Sequence, residues 1–410
     1  MRTRYTGGIL PGNLPSGVLF SHHSASCIVR RRWDSDSPQI ILGSPGGILF
    51  SFENSPPDAI LADERNDIVP GRGDLRISLT TACNLRCSYC HNEGQSAPWL
   101  QPAKTSARFG NIESLLEVAT KYGIKSVKFS GGDPGVYPDL LALMDAIAAW
   151  RRRFPSIAKW GMCTNGTPFL NREKFEALVL SALDNISIGI DSVDPRERSK
   201  PLSPVGVEGT RLLERFVTPL AQAWTGRFIK LDVVFYGDKR QTLNVIRAGR
   251  RLGLNVSVVE LNGVMANVTD QEMRNLFLEL IAETAAEFSL EAKLHKPLNE
   301  IYLFDRAEQT PIKFYQDHCR DRDCGHCRKL HLRVSPTGKG WGAVPCFLQA
   351  QSRIIPLAVD GRMSAERFED AIRYNGRGPS WFAGTPYENL EHDPEKWVPV
   401  FRKDHAQTKR

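Results

Sequence analysis

A group of three cysteines that directly follows a short strand pattern constrains this chain more than any other feature. Residues Leu75–Thr80 alternate apolar and polar side chains as a half-buried strand does. Cys83, Cys87 and Cys90 come next, separated by three residues and then two. Three thiolates on one loop can hold three irons of a cubane cluster and leave the fourth iron open to a small-molecule ligand. Structural zinc needs four ligands, and only His91 lies near as a fourth, so the spacing favours iron and sulfur.

The bulk composition predicts a globular protein of ordinary balance. The chain has 410 residues, of which 24% are charged and 41% hydrophobic, enough for one large enzyme domain with appendages or two to three domains. A net charge of +7 suits an anionic ligand but, spread over this length, is weak evidence for nucleic acid, and we expect no nucleic acid polymer as a partner. Because neither a secretory signal nor an apolar run of membrane-spanning length is found, we expect a cytoplasmic protein with no membrane partner. Seven of the nine cysteines fall into two clusters, which favours metal ligation over disulfides.

From the first strand onward, strand and helix patterns alternate. Six strands, five of them followed by a helix, predict an α/β fold of parallel β/α units. The strands are expected at Leu75–Thr80, Ser126–Ser130, Lys159–Thr164, Ile186–Ile190, Ile229–Tyr236 and Val256–Leu261. The helices are expected at Ile112–Tyr122, Pro138–Arg152, Arg172–Leu183, Gly209–Trp224 and Thr242–Leu252, with two more at Thr269–Phe288 and Ser364–Tyr374. In barrels of such units, ligands bind at the carboxyl ends of the strands.

Polar motifs stand at the ends of these predicted strands. The second strand ends in Ser130-Gly131-Gly132-Asp133-Pro134, where two glycines let the backbone approach a ligand and a carboxylate can accept from an ammonium group. Taken alone, this motif would be read as a β-turn. The third strand ends in Thr164-Asn165-Gly166, the fourth in Gly189-Ile190-Asp191, and the sixth in Glu260-Leu261-Asn262.

The cysteine spacing and the motifs that follow it, in this order, resemble the signature of the radical S-adenosylmethionine (SAM) enzymes. The resemblance implies an open, TIM-like (β/α)6 barrel and a [4Fe–4S] cluster on the three cysteines that chelates the amino and carboxylate groups of SAM. An electron from the cluster then splits SAM into methionine and a 5′-deoxyadenosyl radical, which abstracts a hydrogen from the substrate. The cofactors carry the chemistry, and the protein positions them.

The same resemblance implies which residues line the SAM site. They are Tyr89, Gly131, Gly132, Asp133, Pro134, Thr164, Asn165 and Asp191. Asp133 stands where glutamate is commoner, which keeps the carboxylate. Gly189 replaces a serine expected near the SAM ribose. Cys163, inside the third strand, is interpreted as a packing residue.

A second group of cysteines lies in the C-terminal part of the chain. It consists of Cys319, Cys324, Cys327 and Cys346. The spacing suits zinc or a second [4Fe–4S] cluster, and His318, His326 and His331 keep zinc open as an alternative. The arrangement resembles the C-terminal domain of the GTP cyclases of molybdenum-cofactor biosynthesis and the shortened SPASM (twitch) domains, which implies an auxiliary cluster. If Cys319 is a ligand, that cluster has no open iron for a substrate.

Comparison with the GTP cyclase group also implies substrate-binding residues. Arg76, Lys128 and Lys230 match cationic positions of that group, whereas Ser126 and Ser257 replace two others. Two further arginines of the group align with Lys329 and His331. Each lost cation removes a charge-assisted contact worth about 1.5–3 kcal/mol, which argues against an unchanged triphosphate site. A smaller anion, such as a monophosphate or a carboxylate, remains compatible.

The chain is expected to divide into four parts. Residues 1–73 form an N-terminal extension, a cap or docking element, with a hairpin of Gln39–Leu42 and Ile48–Phe52. Residues 74–265 form the barrel, 266–350 a helix and the auxiliary cluster domain, and 351–410 a C-terminal extension.

The hypothesis is a radical SAM enzyme, of cyclase or oxidoreductase type, that abstracts hydrogen from a small anionic substrate such as a nucleotide. It would work in cofactor or natural-product biosynthesis and draw electrons from a reductant protein such as flavodoxin or ferredoxin. One alternative is a maturase of a ribosomally made peptide, which would dock on residues 1–73. Another is a non-catalytic zinc- or cluster-binding protein that has kept the fold.

Overall fold

The structure, a computed structural model, describes residues 29–31, 40–43, 49–50, 74–90, 105–261, 270–295, 300–304, 311–315, 332–337, 340–343, 355–359 and 362–375. In its N-terminal part three short strands form an antiparallel sheet: β1 Val29–Arg31, β2 Ile40–Gly43 and β3 Leu49–Phe50. Leu42 of β2 pairs with Phe50 of β3, so the predicted hairpin is present.

A second sheet of 12 strands contains the predicted parallel strands. They are β4 Asp74–Ser78, β5 Ser126–Ser130, β6 Lys159–Thr164, β7 Asn185–Gly189, β8 Phe228–Phe235 and β9 Asn255–Glu260. Each pairs in parallel with the next along the chain. This confirms the predicted α/β core of parallel units, with strand bounds within two residues of those expected.

Helices connect these strands and extend beyond them. Their bounds are α1 Phe109–Lys121, α2 Leu140–Arg153, α3 Arg172–Leu180, α4 Gly209–Leu212, α5 Thr218–Ala223, α6 Lys239–Arg251, α7 Asp270–Phe288 and α8 Ala365–Asn375. Side-chain caps fix two of the starts, since Asn171 accepts from the Lys174 amide before α3 and Asp238 accepts from the Gln241 amide before α6. The single helix expected over 209–224 is interrupted by a π-helical turn, Leu213–Val217, between α4 and α5.

The sheet continues beyond the six predicted strands on both sides. β12 Ile312–Tyr315 pairs in parallel with β9, and β13 Leu332–Thr337 pairs in parallel with β4. Antiparallel strands lie outside these two: β10 Glu291–His295 and β11 Glu300–Phe304 on one side, β14 Gly340–Ala343 and β15 Ile355–Pro356 on the other. A separate two-stranded pair, β16 Ala358–Val359 and β17 Arg362–Met363, completes the described strands. The sequence did not predict this widening to eight parallel strands.

The two faces of the parallel sheet differ sharply in chemistry. One face is apolar and packs on the helices. The ring centres of Trp160 in β6 and Trp150 in α2 lie 6.3 Å apart, and those of Phe277 in α7 and Phe235 in β8 lie 5.6 Å apart. Burying each large apolar side chain contributes about 1.5–3 kcal/mol. Because side chains alternate between faces, the residues between these apolar ones point into the barrel interior, where buried lysine, arginine, serine and asparagine side chains collect. Within the described residues, none of the helices is both long and apolar enough to cross a membrane.

Candidate functional site

The loop after β4 carries the three predicted ligands of the first cluster. Cys83 and Cys87 are half-buried, Cys90 is exposed, and none of the three forms a disulfide. Backbone amides fix the course of the loop, because the Cys90 amide donates to the Cys87 carbonyl at 3.1 Å and the Leu85 amide donates to Cys83 Sγ at 3.3 Å. The three thiols therefore stand on one short loop at the carboxyl end of β4, where ligand binding was expected.

The donor set, three thiols on one loop, is of the kind that holds a cubane cluster. In the described residues, no three histidine, cysteine or acidic side chains converge as they would around one metal ion. A single zinc holds all of its sulfurs at about 2.3 Å, which forces them together. In a cubane each thiolate binds a different iron, so the three sulfurs stand further apart. Cys83, Cys87 and Cys90 supply three such thiols.

The two glycines of the second strand end are packed against the cysteine loop. The Gly132 amide donates to the Thr80 carbonyl at 2.7 Å, and the Asp133 amide donates to the Ala82 carbonyl at 2.8 Å. A Cβ added at Gly132 would lie 2.0 Å from the Ala82 oxygen, and one added at Gly131 would lie 2.4 Å from the Thr80 oxygen. Gly131 also has a φ of 145°, which side chains rarely allow. The glycines thus let two strand ends meet and position the residues that lead to Cys83.

Asp133 is the polar centre of the same turn. Its carboxylate is 1% exposed and accepts from the Gly135 amide at 2.7 Å, from the Asn165 amide at 2.6 Å and from Thr164 Oγ1 at 2.9 Å. Burial raises the pKa of Asp133 to about 6, although the backbone donors partly offset this effect. Thr164 Oγ1 also lies 2.9 Å from the second carboxylate oxygen, so each oxygen has two contacts within the protein. The carboxylate therefore ties β5 to the end of β6.

Asn165 links this turn to the cysteines. Its amide Nδ2 lies 3.7 Å from Cys83 Sγ and donates to Asn84 Oδ1 at 3.0 Å. Its Oδ1 accepts from the Thr167 amide at 3.0 Å, within the short 3₁₀ turn Thr167–Leu170. The predicted residues Thr164 and Asn165 are thus brought beside Asp133 and Cys83.

The aromatic residue inside the cysteine loop is held by a buried ion pair. Tyr89 donates through its hydroxyl to Asp191 Oδ2 at 2.5 Å, and Lys200 Nζ lies 2.8 Å from Asp191 Oδ1. The Val234 amide donates to the same oxygen at 2.9 Å. The Lys200 and Asp191 side chains are 9% and 0% exposed. Burial and the negative charge of Asp191 raise the pKa of Tyr89 well above its usual range, so the phenol stays protonated and donates.

Lys200 is a site residue that the sequence reasoning missed. Its ammonium lies 5.6 Å from the centre of the Tyr89 ring and only 3.1 Å from where a Cβ on Gly189 would be. The missing side chain at Gly189 therefore leaves room for the lysine. Burial raises the pKa of Cys87, and the positive charge of Lys200 acts against that rise, which favours the thiolate that iron requires. Lys200 follows Asp191 in an irregular loop, where no periodic pattern could have revealed it.

The three predicted substrate-binding cations lie on the interior face of the sheet. Arg76 pairs in register with Lys128, which is 6% exposed and donates to Ser187 Oγ at 2.8 Å. Lys230, 5% exposed, stands in register with Ser187 and lies 3.2 Å from Asp232 Oδ1. The structure thus brings the three cations into the barrel below the cysteine loop.

Two further interior cations come from the strands that the sequence did not predict. Arg333 on β13 is in register with Arg76, and Lys313 on β12 is in register with Ser257. Arg333 is 3% exposed and Lys313 is 1% exposed.

Several predicted residues lie outside the described part of the chain. They are the auxiliary cysteines Cys319, Cys324, Cys327 and Cys346, the substrate-binding candidate Lys329, and Asn262 at the end of the sixth strand.

A thiol loop over the carboxyl end of a partial parallel barrel defines the class of protein: an α/β enzyme built around an iron–sulfur cofactor. The model of the family described as "Radical SAM superfamily" matches residues 77–280. A relative named "Probable GTP 3',8-cyclase" from Pyrococcus abyssi is 34% identical over 268 residues, which are 63% of this chain and 81% of the relative. The chain belongs to the radical SAM superfamily and is an enzyme that uses a [4Fe–4S] cluster and SAM.

Two other relatives extend the comparison. A second "Probable GTP 3',8-cyclase", from Methanosarcina mazei, is 27% identical over 334 residues, covering 79% of this chain and 90% of the relative. The solved structure titled "Crystal structure of Streptococcus suis SuiB bound to precursor peptide SuiA" has a TM-score of 0.50 and 14% identity, covering 78% of this chain and 68% of that one. At 14% identity, the similarity to the SuiB structure shows the fold alone.

Proposed function

We propose that this radical SAM enzyme acts on a small phosphate-bearing metabolite, with a nucleotide as the leading candidate, in cofactor biosynthesis. The observation that carries the proposal is the row of buried cations in the barrel interior. Arg76, Lys128 and Lys230 lie on its strands, where Lys128 donates to Ser187 and Lys230 pairs with Asp232. Several cationic side chains on one interior face can each make a charge-assisted hydrogen bond to an anionic ligand, which supports a phosphate-bearing substrate. The name of the curated relatives points to the same substrate class.

We assign the first cluster to Cys83, Cys87 and Cys90, and SAM to the turn of Gly131–Pro134 with Thr164, Asn165 and Asp191. When bound, the cluster and SAM together supply the 5′-deoxyadenosyl radical that abstracts a hydrogen from the substrate. Among the chain's own groups, we assign the Asp133 carboxylate, which the Gly135 and Asn165 amides hold in place, to the SAM ammonium. Asp191 positions Tyr89 and Lys200 next to Cys87 and thereby fixes the cysteine loop on the barrel.

The finer parts of the proposal concern the rest of the chain. We assign a second [4Fe–4S] cluster to Cys319, Cys324, Cys327 and Cys346 in an auxiliary domain of residues 266–350, with Lys329 as a further substrate contact. Residues 1–73 and 351–410 are assigned as extensions of the 74–265 barrel. The electrons come from a flavodoxin- or ferredoxin-like protein in the cytoplasm.

The proposal is tested by the iron and sulfide content after anaerobic reconstitution, together with methionine release from SAM in the presence of dithionite. We expect about eight irons in the wild type and about four in a Cys83/Cys87/Cys90 triple alanine variant, which should release no methionine. If the wild type instead holds about four irons and the triple variant none, with zinc bound, the assignment of an auxiliary cluster is wrong. Persistent SAM cleavage in Cys87→Ala would overturn the assignment of the first cluster.

A peptide substrate is the second candidate. It rests on the N-terminal extension, which would serve as the docking element for a leader peptide. Guanosine nucleotides and a generic leader peptide should be compared in equilibrium binding to the reconstituted enzyme. Nucleotide binding that is lost in Lys128→Met supports the anion site, whereas peptide binding that disappears on removal of residues 1–73 supports the alternative.

A further inference from the structure

We propose that Asn165 is a positioning residue whose side chain donates an N–H···S hydrogen bond to the Cys83 ligand and thereby raises the reduction potential of the first cluster. The inference rests on the proposed function, because it requires the cluster that is assigned there to the three cysteines of the loop. It gives Asn165 a role toward the cluster in addition to its proposed place beside SAM. It arises from the directions of the hydrogen bonds around one side-chain amide.

The hydrogen bonds of Asn165 determine which end of its side-chain amide faces the cysteine. The Thr167 backbone amide, which can only donate, lies 3.0 Å from Asn165 Oδ1. Oδ1 is therefore directed to Thr167, and Nδ2 is directed to the other side, where Asn84 Oδ1 lies at 3.0 Å and Cys83 Sγ at 3.7 Å. Since a side-chain amide has two N–H groups, one can donate to Asn84 and the other to Cys83.

The side chain of Asn84 supports the same orientation from the opposite side. Its Nδ2 donates to Thr167 Oγ1 at 2.6 Å, so its Oδ1 is the end that faces Asn165. The Thr167 hydroxyl in turn donates to Asn165 Oδ1 at 2.5 Å, which closes a ring of hydrogen bonds. Reversing the Asn165 amide would bring its oxygen against Asn84 Oδ1 and its nitrogen against the Thr167 N–H. Only the orientation with Nδ2 next to Cys83 satisfies the whole ring.

The barrel holds Asn165 in place independently of the cysteine. Its backbone amide donates to Asp133 Oδ2 at 2.6 Å. The next residue, Gly166, has a φ of 78°, and a Cβ there would lie 2.9 Å from the ring of Phe216. Phe216 lies in the π-helical turn, is fully buried, and stacks on Phe169 with ring centres 5.6 Å apart. Hydrogen bonds on one side and close packing on the other therefore fix the donor relative to the cysteine loop.

A donor next to a ligand sulfur affects the electron that the cluster takes up. Reduction adds negative charge to the cluster and its thiolates, and an N–H directed at a ligand sulfur stabilises that charge, so it raises the reduction potential. The Leu85 backbone amide also donates to Cys83 Sγ, at 3.3 Å. The Asn165 donor, unlike that of Leu85, can be removed by changing a side chain. The competing explanation is that Asn165 only holds the turn together, and the potential distinguishes the two roles.

The test measures the midpoint potential of the reconstituted protein by a redox titration monitored by EPR, without SAM. Asn165→Leu removes the donor without adding charge. We expect the ratio of reduced to oxidised cluster at the wild-type midpoint to fall about three- to tenfold, as the loss of one hydrogen bond of ordinary net strength would give. Asn171→Leu is the matched control, since Asn171 also accepts from a backbone amide, that of Lys174 at 3.1 Å, and its loss should leave the potential unchanged.

A second measurement detects the hydrogen bond in the wild type itself. The protein is labelled with nitrogen-15 only in the side-chain amides of asparagine, and the reduced cluster is studied by pulsed EPR. We expect a coupling between the cluster and a labelled nitrogen in the wild type and no such coupling in Asn165→Leu. The Asn84 nitrogen is directed to Thr167 and should contribute none.

Each outcome decides the inference. An unchanged potential in iron-loaded Asn165→Leu would overturn it and leave Asn165 with a structural role. If that variant fails to bind iron, the labelled wild type decides, and the absence of a nitrogen coupling would overturn the inference. The Cys83/Cys87/Cys90 triple alanine variant tests the proposed function separately. The EPR signal that this variant retains belongs to another cluster and is subtracted, and retention of the whole signal would show that the assignment of the first cluster is wrong.

Discussion

The two polar regions of the barrel are built in different ways. At the carboxyl end of the strands, next to the cysteine loop, short side chains and backbone amides pack against one another, and an added Cβ at Gly132 would lie 2.0 Å from a carbonyl oxygen. In the interior, long cationic side chains such as Lys128 reach across the sheet to Ser187. The first region fixes the positions of atoms and should be sensitive to volume. The second supplies charge and should be sensitive to charge, which allows the two to be distinguished by mutation.

The largest effect is expected from Gly132→Ala. The added methyl would overlap the backbone of Ala82 and Cys83, neither of which can move without displacing the cysteine loop. We expect reconstituted iron to fall to the level of the triple cysteine variant, measured by iron and sulfide analysis. Gly110→Ala is the matched control, since Gly110 has no atom within 4 Å of the added methyl and lies in α1. Full iron loading in Gly132→Ala would show that this region is not fixed by close packing.

Asp191→Asn should lower the free energy of unfolding, a smaller effect than the loss of iron expected in Gly132→Ala. The substitution leaves the buried ammonium of Lys200 without its carboxylate and weakens the hydrogen bond from Tyr89. Removing one partner of a buried ion pair costs about 3–5 kcal/mol, which chemical denaturation of the variant would measure. Glu176→Gln breaks an ion pair with Arg172 whose side chains are 54% and 90% exposed, and should leave the free energy of unfolding unchanged. Equal effects in the two variants would contradict the assignment of Asp191 as a buried anchor.

Comparison with the sequence shows which features local patterns can predict. The six strands of the core were predicted because each is a short apolar pattern, as in Ser126–Ser130, and four of them end in a polar motif. Lys200 was missed because an irregular loop carries it to Asp191. The flanking strands were missed because β12 is only four residues long and its parallel pairing joins segments far apart in the sequence. The order of an apolar residue, a cation and an apolar residue in Ile312-Lys313-Phe314 nevertheless repeats that of Val127-Lys128-Phe129.

The affinity for SAM should depend on pH, an effect of intermediate size, because the region next to the cysteine loop contains the Asp133 carboxylate. The pKa of Asp133 is raised to about 6, so its carboxylate is charged above that pH and becomes neutral below it. If it holds the SAM ammonium, affinity for SAM is present above pH 6 and is lost as the pH falls. Between pH 7.5 and 5.5 the ionised fraction drops to about a quarter, which predicts about a fourfold weaker binding constant by calorimetry. Asp133→Asn should bind SAM more weakly, with no such inflection; the same inflection in that variant would assign the titration to another group.

The smallest effect is expected from Cys163→Ala, which tests where the first region ends. Cys163 lies on β6 in register with Ser187, is half-buried and forms no disulfide. A half-buried thiol replaced by a methyl group should change the free energy of unfolding by less than about 1 kcal/mol and leave the iron content unaltered. Loss of iron would instead mean that a barrel strand supplies a cluster ligand. The cysteine loop and the barrel interior would then form one metal-binding region, and the distinction between a site fixed by packing and a site defined by charge would no longer hold.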